Sequence, residues 1–155
     1  MLRLSLACAA LAAASVPVSA QDCSEAPVFV AHASGNSAVR ASATRIERQQ
    51  WRDAAAFASQ ALGRRGSASQ RGAAFANLCA AQAMLGEHDG AGEACAAAVE
   101  NAPETWVALN NRGGALWLAG DRDAAFADFQ TAAELAPDEA GPASNLALVA
   151  CAAPG

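Results

Sequence analysis

The sequence predicts an all-α solenoid of about three helix pairs closed by a C-terminal capping helix, and three observations carry that prediction. Leu109, Gly113, Leu116, Gly120, Ala125, Phe129, Ala132 and Pro137 each lie 34 residues after Phe75, Cys79, Gln82, Gly86, Ala91, Cys95, Ala98 and Pro103. From Asn36 onward the chain is Ala-rich, with apolar residues three and four apart, which is the helical period. Glycine and proline punctuate this pattern in register, at Gly86/Gly120 and Pro103/Pro137. Alanine-rich helices match one another by composition alone, but that does not place turn residues in a common register. A unit of two antiparallel helices this short cannot bury its apolar face alone, so it stacks on its neighbours.

The first twenty residues stand apart from the fold. Met1-Leu2-Arg3 supplies one positive charge, Leu4 to Val16 is an apolar run, and Val18-Ser19-Ala20 is a small-residue cleavage signature. This is the pattern of an export signal cleaved after Ala20, and the apolar run is shorter than the roughly 20 residues of a membrane-spanning helix. The expected mature chain, Gln21 to Gly155, is periplasmic or secreted, with no later segment apolar enough to span a membrane. Residues 21–36 contain Pro27 and Gly35 without helical periodicity, and are read as an irregular arm in which Val28-Phe29-Val30 is a short strand.

Residues 37–152 form the repeat domain, with units at about 37–66, 70–103 and 104–137 and a cap at 140–152. The first pair is expected at about 37–48 and 51–63, where Gly63-Arg64-Arg65-Gly66-Ser67 breaks it. The second pair occupies about 70–85 and 88–100 around Gly86, and Pro103 stops it. The third spans about 105–118 and 121–135 around Gly120-Asp121. The cap starts near Pro142, a residue suited to a first helical turn. Ala54 lies 37 residues before Ala91, so three residues are inserted after the first unit, between Gly63 and Gly72.

The motif Leu109-x-x-Arg112-Gly113-x-x-Leu116, followed by Gly120-Asp121, Ala125, Phe129, Ala132 and Pro137, resembles the tetratricopeptide repeat, and Asn110-Asn111-Arg112-Gly113 is similar to a common variant of its first helix. The copy at 73–103 is looser, with Cys79, Gln82 and Cys95 in place of small and aromatic residues. That at 37–66 is degenerate. The resemblance covers residues 37–152 and implies a right-handed α-α superhelix. It also implies that the first helix of each pair lines a concave groove that binds an extended peptide or a partner-protein segment.

On those first helices Asn77, Asn111 and Asn145 recur at 34-residue steps. An amide both donates and accepts, so such a row can grip a peptide backbone; it can equally cross-link neighbouring helices. Asn110 stands beside the row, Arg40 takes its place in the first unit, and Trp117 and Leu118 are apolar candidates at a helix end. The resemblance's carboxylate clamp for chaperone tails uses lysines, and every basic side chain here is Arg. That argues against chaperone tails as partners.

Four cysteines follow the signal: Cys23, Cys79, Cys95 and Cys151. In an exported chain an even number suggests disulfides, here with three possible pairings. Cys79 and Cys95 lie on either side of the turn at Gly86 and face each other across an antiparallel pair, which favours a Cys79–Cys95 bridge and leaves Cys23–Cys151. The alternative is buried thiols acting as small apolar residues.

Charge and motifs narrow the function classes. Residues 21–72 carry seven Arg against four acids, residues 73–155 two Arg against eleven. An acidic C-terminal half argues against nucleic acid, whose affinity rests on neutralised phosphates. His32 and His88 are isolated, and neither a metal spacing nor a catalytic motif occurs. The expectation is a non-catalytic protein-interaction module without cofactor or metal. The alternative is a structural subunit or assembly factor of a cell-envelope complex, which long exposed apolar residues on the second helices would favour and their Ala-rich sequences do not.

Overall fold

The computed structural model describes residues 26–152; the expected signal segment and Cys23 lie outside the described residues. Seven helices follow in order: α1 (Ser37–Glu47), α2 (Trp51–Leu62), α3 (Ala68–Leu85), α4 (His88–Asn101), α5 (Trp106–Ala119), α6 (Arg122–Leu135) and α7 (Ala140–Ala152). No β-strand occurs among the described residues. Val28-Phe29-Val30, expected as a short strand, is extended but pairs with no other strand. The last helix begins at Ala140 rather than at Pro142. Pro142 still falls in the first turn, where its missing N–H removes no helical hydrogen bond.

Each helix packs on the next, and α1, α3, α5 and α7 also pack on one another in succession, whereas α2, α4 and α6 touch only odd-numbered helices. The result is two layers, a continuous odd-numbered row backed by separate even-numbered helices. Alanine makes this close stacking feasible. Ala54, Ala73, Ala76, Ala80, Ala98 and Ala125 are all fully buried at helix contacts.

The intra-pair turns share one geometry. Gly86 and Gly120 end α3 and α5 in the left-handed region, at φ 77° and 93°. In each case the glycine N–H donates three residues back and the next N–H five back (Gly86 to Ala83, Glu87 to Gln82; Gly120 to Trp117, Asp121 to Leu116). That pair of bonds is the Schellman motif, which favours glycine at the left-handed position. In the degenerate first unit Gln49 takes this place at φ 56°, with Gln49 donating to Ile46 and Gln50 to Arg45.

The inserted residues become helix. α3 has 18 residues where α5 has 14, so the insertion adds a first turn at Ala68–Arg71. Ser67 and Gln70 secure it with a reciprocal capping box, the Ser67 hydroxyl accepting from the Gln70 N–H and the Gln70 side chain from the Ser67 N–H.

One contact recurs in the second and third pairs with different chemistry, and the first pair bonds the same place of its first helix to another residue. In the third pair Gly113 faces Phe129, and a Cβ on Gly113 would lie 2.7 Å from the ring. One repeat earlier the same two places hold the Cys79–Cys95 disulfide, with Cα atoms 4.9 Å apart, as expected from the sequence. In the first pair the corresponding Ser42 is buried and donates to the Ala54 carbonyl at 2.8 Å. The third pair is further joined by Arg112, whose guanidinium donates twice to the Asp128 carboxylate at 2.6 Å. That hydrogen bonding raises the arginine's pKa further.

Candidate functional site

The odd-numbered row carries four asparagines whose side chains are fully buried: Asn77 on α3, Asn110 and Asn111 on α5, and Asn145 on α7. What covers them is the chain's own N-terminal arm, which crosses α7, α5 and α3 in an extended conformation. Asn145 Oδ1 accepts from the Val28 N–H at 2.7 Å while its Nδ2 donates to the Val28 carbonyl at 3.0 Å. Asn111 holds Val30 in the same way, at 2.9 Å for both bonds. Asn77 holds His32, at 2.8 Å and 3.0 Å. The arm therefore runs opposite to the order of the repeats.

Two periods meet here. Successive residues of an extended chain turn their N–H and C=O to opposite edges, so only alternate residues can face one row of partners. Residues 28, 30 and 32 meet asparagines at 145, 111 and 77, one two-residue step per 34-residue repeat. Each amide offers a donor and an acceptor and thus reproduces, with a side chain, the paired bonds of an antiparallel ladder. On the other edge, the main-chain groups of Phe29 and Ala31 make no hydrogen bond to the described residues.

The asparagines also tie the row together. Asn111 Nδ2 donates to the Ala76 carbonyl at 3.1 Å, Asn77 Nδ2 to the Val39 carbonyl at 3.5 Å and Asn145 Nδ2 to Asn110 Oδ1 at 2.9 Å. Asn110 Nδ2 in turn donates to the Val28 carbonyl at 2.9 Å. The same side chains hold the chain's own arm and cross-link neighbouring helices.

Side chains of the arm fill shaped places. The Phe29 ring lies over Gly114, where an added Cβ would come within 2.8 Å of it, and packs against the cluster containing Cys79, Ala83 and Ala115. Val30 lies over Gly141, again 2.8 Å from a would-be Cβ, beside Ala76, Val107 and Ala108. Ala31 packs toward Ile46, Ala80 and Ala81. Next to it an open cleft of about 560 Å³ is bordered by Phe29, Ala31, Ile46, Trp51 and Met84, with Glu47 at its edge.

The remaining sequence candidates lie elsewhere. Arg40 is exposed and its Nη1 donates to the Gly35 carbonyl at 2.8 Å, steadying the link between arm and α1 rather than joining the row. Trp117 is buried with Ala125, Phe129 and Leu148, and the Arg122 guanidinium stacks 3.6 Å from its ring centroid; neither touches the arm. Leu118 is exposed. Cys151 is disulfide-bonded, and Cys23, its expected partner, lies outside the described residues. His32, given no role from sequence, is a clamped residue of the arm; burial lowers its pKa, and its Nδ1 is buried without a hydrogen-bond partner.

Among the described residues no group of His, Cys, Asp and Glu could hold a metal ion, and no helix is long and apolar enough to cross a membrane. No protein-family model matches the chain, and no curated protein sequence does.

Proposed function

We propose that the chain is an exported, non-catalytic interaction module of the tetratricopeptide type, in which α1, α3, α5 and α7 line the concave groove of a short right-handed superhelix. The groove binds an extended segment of a partner protein through its backbone. The observation that carries this reading is the asparagine row itself, which grips both main-chain groups of every second residue of an extended chain. Bonds of this kind do not depend on the side chains of the segment they hold. The arm is thus a resident occupant whose place another segment can take.

Spacing supports the concave shape. Two residues of extended chain span about 6.7 Å, less than the 8–10 Å between the axes of packed helices. The asparagines meet that shorter step if they project from the inner side of a curve. The Cys79–Cys95 bridge fits an oxidising compartment outside the cytoplasm, in keeping with the export signal.

The direct test is a titration of the full-length Phe29→Ala protein, whose arm has lost its anchor, with a synthetic peptide copying residues 26–34. Saturable binding is expected, weakened about ten-fold by adding Asn111→Ala, since each lost hydrogen bond contributes about 0.5–1.5 kcal/mol. A folded Phe29→Ala protein that binds no peptide would refute the reading. One observation favours a second role as an assembly subunit: Phe126 and Leu135 on α6 are 44% and 48% exposed. Serine at both positions would then break a complex without affecting peptide binding.

A further inference from the structure

The groove is incompletely filled by its own arm. Phe29 and Val30 each lie against a glycine that could carry no side chain without striking them. Ala31, by contrast, leaves open the cleft bordered by Ile46, Trp51 and Met84. Residues 26–31 all line this cleft; of the two that project toward Ile46 on one side of the extended chain, Phe29 and Ala31, Ala31 has the small side chain that a longer one could extend into it.

From this we infer that the groove selects a partner-protein segment with an aromatic, a β-branched and a large apolar residue in succession, at the places of Phe29, Val30 and Ala31. The inference rests on the proposed groove reading and adds the sequence class of the partner. The segment enters in the direction of the arm, from α7 toward α3. Gly114 leaves room for a planar ring and Gly141 for a branched Cβ. The third residue reaches the cleft, where Ile46, Trp51 and Met84 offer apolar surface beside the polar Glu47 and Gln49, with room for a Leu or Met.

The added contact lowers, by the factor it gains in affinity, the concentration at which a free segment displaces the tethered arm. Tethering gives the arm an effective concentration on the order of millimolar, so a competitor with identical contacts loses at ordinary concentrations. A leucine at the third place buries additional apolar surface that alanine lacks, which corresponds to about ten-fold in affinity. The arm keeps the buried asparagines satisfied until such a segment arrives.

The test uses full-length Phe29→Ala protein and three peptides copying residues 26–34: the parent, an Ala31→Leu form and a Phe29→Ala form. The Ala31→Leu peptide is expected to bind about ten-fold tighter than the parent, and the Phe29→Ala peptide at least ten-fold weaker. Equal affinities, or weaker binding of the leucine peptide, would overturn the inference while leaving the backbone clamp intact. No binding of any peptide would overturn the groove reading and the inference with it. Should Phe29→Ala protein fail to fold, Ala31→Leu in the intact chain gives the same decision. Filling the cleft raises the melting temperature and slows exchange of the arm amides, and a lowered melting temperature contradicts it.

Discussion

Asn111 holds the N–H and the C=O of Val30 with two bonds of equal length, 2.9 Å. The same side chain reaches back to the Ala76 carbonyl, so one residue fastens the arm and joins α5 to α3. Replacing it with alanine removes both bonds to the half-buried main chain of Val30 and the extra bond to the Ala76 carbonyl. A loss of about 2–4 kcal/mol of unfolding free energy is expected, read by urea denaturation. Asn111→Asp should be no better, because a carboxylate accepts the Val30 N–H but cannot donate to the Val30 and Ala76 carbonyls.

The Cys79–Cys95 bridge and the Gly113/Phe129 pair occupy corresponding places, 34 residues apart. Breaking the bridge by Cys79→Ala should lower stability by about 3 kcal/mol in the loop-entropy account of a 16-residue separation. The pair Cys79→Gly with Cys95→Phe copies the third unit. It is expected to be more stable than the sum of the two single changes, with a coupling of about 0.5–3 kcal/mol. A thermodynamic cycle measures that term, and strict additivity would show that the two places are not equivalent.

Gln49 adopts the left-handed conformation that glycine takes at Gly86 and Gly120. Gln49→Gly should therefore stabilise the protein, by up to about 1 kcal/mol after allowing for glycine's greater freedom in the unfolded chain. Thermal melting decides it. A destabilised variant would mean that the side chain of Gln49 contributes more than its backbone angle costs.

His32 links the arm to pH. Its pKa is lowered by burial in the seated arm, whereas a released arm titrates near the ordinary value of about 6.5. The released state therefore binds more protons, and seating gains stability as pH rises. The contribution is complete above about pH 6.5 and declines as pH falls from there toward the lowered value. Proteolytic cleavage of the arm should be faster at pH 5.5 than at 7.5, and His32→Phe should remove the difference.

Much of this architecture was legible in the sequence because turn residues and helix periods are local signals. Gly86, Gly120, Pro103 and Pro137 mark the helix ends closely, and Cys79 with Cys95 could be paired from their placement about one turn. The insertion after Gly63 was visible as a change of offset, yet its outcome, an extra turn capped by Ser67 and Gln70, depended on a reciprocal bond between an exposed serine and a half-buried glutamine. The asparagine row stood out by its 34-residue step.

What it grips did not stand out. The arm makes no helix and pairs with no strand, so residues 28–32 carried no period of their own beyond a brief apolar run. The usable signal was a match between two periods, extended residues in twos against asparagines in 34s. Arg40 shared the register of the row by counting, but the degenerate first unit turns it to the surface. Trp117 was drawn into the core by Phe129 and Leu148, as large aromatics usually are.

Amide hydrogen exchange of the arm in the full-length protein tests the clamp most directly. The N–H groups of Val28, Val30 and His32 are expected to exchange at least ten-fold more slowly than those of Phe29 and Ala31, since only the former donate to asparagines. Asn111→Ala should abolish the protection of Val30 first. Uniformly fast exchange across residues 28–32, or protection without the two-residue alternation, would contradict the account.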